Sequence, residues 1–249
     1  LQPLLDYEQI SLLLNQSAEA CHLLSLKAEF SLGSAFDIRS TVAMAARDKI
    51  LEPQSLIEIQ QTLAVMRRLR SGLGELAEKL PLLWNIASGI VEFPHLEENI
   101  ANCIAPIGEL LDSASPKLAT VREQLKKVRQ QLLQRLEIIM RSPKGRRIIQ
   151  EPIIIEREGR YVIPVKVESR REMKGIVHSL SNTGATAFVE PWAIVELGNT
   201  FRELVMEERR EIEKILRDLS AEVGAHEAEI SHSIALAAEL DLALAKARY

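Results

Sequence analysis

EPIIIEREGRYVIPVKVESRREMKGIVHSLSNTGATAFVEP, residues 151–191, is the stretch on which the fold turns, because nothing else in the chain reads as β-structure. Segments rich in Ile, Val, Thr, Tyr and Phe lie at Ile153–Glu156, Arg160–Val167, Gly175–Leu180 and Ala185–Val189. Turn-forming Glu158-Gly159, the charged run Ser169–Lys174 and Ser181-Asn182-Thr183-Gly184 separate them. In the second segment Tyr161, Ile163, Val165 and Val167 share one face, with Arg160 and Lys166 on the other. Pro164 has no amide donor, which predicts an edge strand or a bulge. Ser181–Thr186 joins two strands and opens no helix, so a hairpin turn with Gly184 at positive φ is expected in place of a phosphate loop.

Long helical patterns flank this stretch. Upstream, Ser115 is the expected N-cap and Pro116 the first helical residue. Leu118, Val121, Leu125, Val128, Leu132, Leu136 and Ile139 then step by threes and fours, a narrow coiled-coil seam. Pro116 to Arg147 would make about 48 Å of helix, with Pro143 expected to stop it near Arg141 and allow a restart. Downstream, Pro191 opens a helix whose stripe runs Leu197, Phe201, Leu204, Ile212, Ile215, Leu219, Val223, Ile230 and Ile234. Unbroken to Tyr249 it would reach roughly 87 Å, with a break expected near Gly224. Neither helix has a wide apolar face, so each needs the other.

Residues 1–111 read as short helices with tight breaks. The first covers roughly Asp6–Lys27, a Gly33-Ser34 loop follows, and Asp37 is the expected N-cap of a helix to about Asp48. Pro53 begins the next helix, with Leu56, Ile59, Leu63 and Met66 on one face, and Gly72 and Gly74 end it. Pro81, Gly89, Pro94 and Pro106 punctuate the rest. The expected architecture is mainly α: a helical core (1–111), an ascending helix (112–149), a β-rich tip (150–191) and a descending helix returning to the core (192–249). The paired helices form a long antiparallel arm that carries the small antiparallel sheet at its tip.

Composition narrows the function. Low aromatic content (4%) with abundant Leu, Ile and Ala favours helix packed on helix. A net charge of −4 excludes a chain that is basic throughout, so any nucleic-acid surface must be local. Cys21 and Cys103 form no metal-ligand pattern and fit two buried thiols in a reducing cytoplasm. No apolar run approaches the roughly 18 residues of a membrane span. The chain opens on Leu1 and stops at Ala247-Arg248-Tyr249 inside a helical pattern, which predicts a piece of a longer protein.

Catalytic and cofactor motifs are missing from the pattern: there is no Walker loop, and His226-Glu227 and His232 miss the spacing of a zinc-binding pair. Those two histidines are expected to be solvated, and His22, His95 and His178 to be structural and hydrogen-bonded. No catalytic, cofactor or metal residue is therefore assigned. The charge anomaly lies at the tip. From Arg141 to Lys174 there are ten basic residues and five acidic ones, a balance of +5. Such a cluster is either solubilising charge or a phosphate-binding surface.

The tip's wording is itself informative. Arg157 to Lys166 (REGRYVIPVK), Gly175-Ile176-Val177-His178, Gly184-Ala185-Thr186, Phe188-Val189-Glu190-Pro191 and Val195-Glu196-Leu197 resemble the second bacterial branch of the MutS family. Asp112–Pro116 and Glu151-Pro152 match as well, with a weaker echo at Asp37-Ile38-Arg39, so the similarity spans essentially the whole chain. Gly198, where the family usually has Asn, Trp192 after the Glu-Pro, and the 168–174 run depart from it.

The resemblance implies the core, lever and clamp portions of such a protein, with the ATP- and Mg-binding ATPase domain and the C-terminal Smr endonuclease domain lying elsewhere in a homodimeric parent. It further implies DNA as partner, branched or recombining, in a mismatch-repair-related role, or the ribosome and its RNA. By this analogy the β-tip is a clamp and Arg157, Arg160, Lys166, Arg170, Arg171 and Lys174 are the candidate nucleic-acid contacts. They are expected to meet phosphates without reading bases, because the cluster lacks ordered aromatics for stacking. The competing expectation is a protein-docking module acting through the coiled arm.

Overall fold

The computed structural model describes residues 6–30, 33 and 35–249. Ser34, in the expected loop, lies outside them. In chain order the helices are α1 (Tyr7–Leu26), α2 (Arg39–Ala45), α3 (Pro53–Gly74), α4 (Pro81–Ser88), α5 (Pro94–Cys103), α6 (Pro116–Arg141), α7 (Pro143–Ile148), α8 (Trp192–Ala225) and α9 (Glu227–Arg248). Between α7 and α8 come β1 (Ile155–Arg157), β2 (Arg160–Lys166), β3 (Gly175–Leu180) and β4 (Thr186–Pro191). The chain is mainly α with one small antiparallel sheet. Contacts divide it into two compact units, Ser115–Ile212 and the remainder, which joins residues up to Ala114 to Glu213–Tyr249.

In the helical unit, proline begins α3, α4 and α5, where its missing N–H costs nothing. The cap of α4 comes from a distance: Glu19 of α1 accepts from the amides of Leu82 and Leu83 at 2.9 and 3.0 Å. Leu56, Ile59, Leu63 and Met66 of α3 are all buried, as their spacing predicts. Helix α9 packs on α1, α2 and α4. The expected break near Gly224 falls at His226, between α8 and α9. A Cβ on Gly224 would lie 2.6 Å from the Ala45 carbonyl oxygen, so only glycine lets the last turn of α8 pass the end of α2.

Three local expectations are corrected or refined in this unit. The residue preceding α2 is Ile38, not Asp37. Asp37, one residue earlier, binds the Arg39 guanidinium at 2.6 and 2.8 Å and accepts from the Arg39 amide, the first of α2, at 3.4 Å, which together pull its carboxyl down to about 2. His226 is solvated as expected but also held in place: its side chain is 42% exposed, its Nδ1 lies 2.7 Å from Glu229, and its ring packs 5.2 Å from Phe93. Cys21 is exposed on α1, with its thiol 3.8 Å from the Ala247 carbonyl at the end of α9, while Cys103 is half-buried with its thiol pKa raised by burial.

In the second unit α6 and the first part of α8 run antiparallel. Ser115 reaches Glu211 (2.9 Å), Lys117 reaches Glu207 (3.1 Å) and Arg122 reaches Glu208 (2.7 Å), while Arg135 donates to the Ala193 carbonyl (3.0 Å) near the other end. Ser115 caps α6 through the Leu118 amide at 3.0 Å, as its sequence position predicts. Helix α6 stops at Arg141 and restarts at Pro143, with Ser142 closing one helix and capping the next. The seam is not continuous. Leu118, Val121, Leu132 and Leu136 are buried, but Leu125 and Val128 are half-covered, and a groove of about 750 Å³ opens beside Leu125, Arg129, Leu133, Phe201 and Val205.

The sheet, ordered β1-β2-β4-β3, is antiparallel throughout and lies where α6 ends and α8 begins. Tyr161, Ile163 and Val165 of β2 and Ala187 and Val189 of β4 pack with Leu132, Leu136, Ile148, Ile149 and Ile194 in one buried cluster. Glu158 and Gly159 turn β1 into β2 at φ of 50 and 73°, and Gly184 has a φ of 70°.

Pro164 does not make β2 an edge strand: β2 lies between β1 and β4. The pairing of β1 ends at Ile155 and Val162, however, and beyond it the Pro164 carbonyl accepts from the Gln150 amide at 2.9 Å. The proline's missing donor points to that same side, past the end of β1, and so no ladder bond is lost. The bulge lies instead in β3, at His178.

Tyr161 generates a test. Its ring packs edge-on against Phe201, 5.6 Å between centroids, and its side chain is buried. Burial raises the phenol above its ordinary pKa, the Glu156 carboxylate adds to this, and Arg129 opposes it. The hydroxyl nevertheless makes no well-formed hydrogen bond. An unpaired buried hydroxyl costs free energy, so Tyr161→Phe is expected to leave stability unchanged or raise it by about 1 kcal/mol in urea unfolding. A loss of comparable size would mean that the hydroxyl is bonded.

Candidate nucleic-acid interface

The ten basic residues of the tip divide by what holds them. Arg160, at the start of β2, is a structural cation: its Nη1 donates to Glu190 at 3.1 Å, and its side chain is only 18% exposed. Glu190 is buried near the end of β4 and takes a second donor, His178 Nε2, at 2.7 Å. The bulge at His178 lets that ring reach Glu190, so of the three histidines expected to be hydrogen-bonded His178 is, whereas His22 and His95 lie exposed with no ring hydrogen bond among the described residues. Gly198 of α8 leaves the space this arrangement occupies, since a Cβ there would lie 2.9 Å from Glu190 Oε1 and 3.3 Å from Arg160 Nη1.

Arg157 lies 3.5 Å over the Phe188 ring and donates to Ser179 at 2.8 Å. Lys166 donates to the Arg147 carbonyl at 3.2 Å. Arg147 pairs with Glu172, and Arg141 with Glu137 at 3.2 Å. Arg157 and Lys166 thus sit on neutral partners and keep their charge, whereas Arg147 and Arg141 are offset by carboxylates.

The other five, Lys144, Arg146, Arg170, Arg171 and Lys174, are exposed and have no acidic partner among the described residues. Arg170 and Arg171 follow a single 3-10 turn, Val167–Ser169, and Lys174 immediately precedes β3. Lys144 and Arg146 stand on α7; they contribute to the charge balance of the sequence, but nothing in their spacing foretells that α7 returns to the sheet. That return is fixed by Gly145, where a Cβ would meet the Ile139 carbonyl at 2.1 Å, and by burial of Ile148. Lys144 and Lys174 line the same recess, about 370 Å³, with Trp192 at its side. The Trp192 amide donates to the Lys174 carbonyl at 3.0 Å.

This arrangement can hold phosphates, since it offers exposed cations on a small, firmly packed support. Among the described residues no group of three or more His, Cys, Asp or Glu is placed to bind a metal ion, and no helix is long and apolar enough to cross a membrane.

Glu190 supplies a second test. Its removal leaves Arg160 mostly buried without its counter-charge, which costs about 3 kcal/mol when solvent reaches part of the guanidinium. Glu190→Ala should therefore lower unfolding free energy by about that amount, whereas the double variant Arg170→Ala/Arg171→Ala should leave it nearly unchanged. Equal effects on urea midpoints would show that Arg160 is not a structural cation.

No family model matches the chain. Proteins named Endonuclease MutS2 do. That of Pelotomaculum thermopropionicum is 41% identical over 249 residues, covering 100% of this chain and 32% of the relative. That of Thermomicrobium roseum is 39% identical, covering 99% of this chain and 31% of the relative. The Geobacillus thermodenitrificans protein is 38% identical over 252 residues, covering 100% and 32%. The chain thus spans about a third of the length of the curated relatives it matches. With identity of this order from end to end, and with the helix pair and small sheet described above, the chain belongs to the MutS2 branch of the MutS family.

Proposed function

We propose that this chain is the nucleic-acid-gripping part of a MutS2-type protein that acts on branched or recombining DNA, and that it carries no catalytic step itself. ATP hydrolysis and strand cleavage are assigned to other portions of the whole protein, in keeping with relatives named as endonucleases of which these residues cover about a third. The observation that carries the reading is the set of five exposed cations, Lys144, Arg146, Arg170, Arg171 and Lys174, without acidic partners among the described residues, in a segment of net +5 within a chain of net −4. Arg157 and Lys166 add charge from neutral settings, while Arg160 supports the scaffold from its pair with Glu190.

Contacts of this kind neutralise phosphates and release counterions, so affinity depends on salt and little on sequence. With about three or four phosphates engaged, log affinity for duplex or branched DNA should fall against log salt with a slope of roughly −3 to −4. Arg170→Ala/Arg171→Ala/Lys174→Ala should flatten the slope while leaving the melting temperature nearly unchanged. Equal slopes for variant and wild type would move the contact off these residues. No binding at low salt would favour docking to a protein instead.

A further inference from the structure

We propose that the recess beside Trp192 seats one unpaired nucleobase, with Trp192 stacking on the base and Lys144 and Lys174 holding the flanking phosphates. This rests on the nucleic-acid reading above and gives it a preference: strands that are single, gapped or splayed, as at a branch, over continuous duplex.

Trp192 is the first residue of α8, and 60% of its surface is exposed. An indole left in water forgoes the large burial that this side chain ordinarily contributes, and its flat face is available to a planar partner. The recess at its side has an apolar floor from Ile139, Ile148 and Met173. At about 370 Å³ it is near the small end of ligand sites, which run from about 300 to 1,000 Å³, and so suits a single planar group.

Charge selects among planar groups. Lys144 and Lys174 line the recess and have no acidic partner among the described residues, while Glu172, the carboxylate on the same wall, is already paired with Arg147. Exposed cations around a π-face match the repeat of a nucleic-acid strand, in which anionic phosphates flank each base. Every base can stack, so this contact is indifferent to sequence. In duplex the base faces are already stacked on one another, and a base reaches the indole only when it is unpaired or turned out. The surface described by its charges alone binds phosphates and nothing else; Trp192 adds recognition of strand state.

The test uses the full chain with two fluorescein-labelled probes, a short oligothymidylate and a blunt duplex of equal length. Trp192→Ala should weaken oligothymidylate binding about 5- to 150-fold, the range of one base–aromatic stack, and leave duplex binding unchanged. Trp192→Phe, which keeps a π-face, should recover most of the loss. Lys144→Ala should reduce the salt slope on the oligothymidylate by about 0.7. In a Trp84→Phe background, where Trp192 is the only tryptophan, its emission should be quenched by the oligothymidylate and not by the duplex. If Trp192→Ala changes neither affinity while both probes still bind in a salt-dependent way, the base seat is wrong and the phosphate surface stands. If it weakens both probes equally, Trp192 supports the tip and holds no base. If neither probe binds at low salt, the nucleic-acid reading fails, and the base seat with it.

Discussion

Glu190 sits near the end of β4 with its carboxylate out of water, where a charge is tolerable only with partners. Both of its partners come from the sheet. Arg160 reaches it from the start of β2, and His178 reaches it because β3 carries a bulge at that residue. Gly198 then lets α8 pass close to the pair, a helix-interior glycine that costs about 1 kcal/mol in propensity and returns the room the carboxylate occupies. The consequence is a division of labour among the tip cations. One is fixed inside the fold, others rest on a ring, a hydroxyl or a carbonyl, and those on α7 and in the 170–174 run are exposed without an acidic partner among the described residues.

The support under those charges is firm where it must be. Leu132 and Leu136 of α6, Ile148 and Ile149 after α7, and the inward faces of β2 and β4 form one cluster directly beneath the exposed surface. Farther along the pair, the seam relaxes at Leu125 and Val128 and closes again at Leu118 and Val121, beside the ion pair of Arg122 with Glu208.

Much of this was legible in the chain, because it depends on neighbours in sequence. The proline-started helices, the Ser115 cap, the restart at Pro143, the strands and their glycine turns follow from local rules, and the fold agrees with them. What was not legible depends on long-range pairing. Pro164 alone argues for an edge, and only the three-residue length of β1 explains how an interior strand accepts it. Arg160 and Arg170 look alike in sequence, and the depth of Glu190 separates them. Trp192 reads as an isolated aromatic until α7 and the 169–174 run place Lys144 and Lys174 around it. The MutS2 likeness identifies the architecture, and these three matters follow from the three-dimensional packing alone.

The central claim is that nucleic acid is met by the tip. Amide hydrogen exchange of the chain, with and without a branched DNA, tests this most directly, because it reports on every backbone segment at once. The account predicts slower exchange on binding in peptides covering 142–148, 167–175 and 191–195, with 6–30 and 35–114 unchanged. Protection confined to 6–30 and 35–114, or bound DNA that protects no tip peptide, would contradict it.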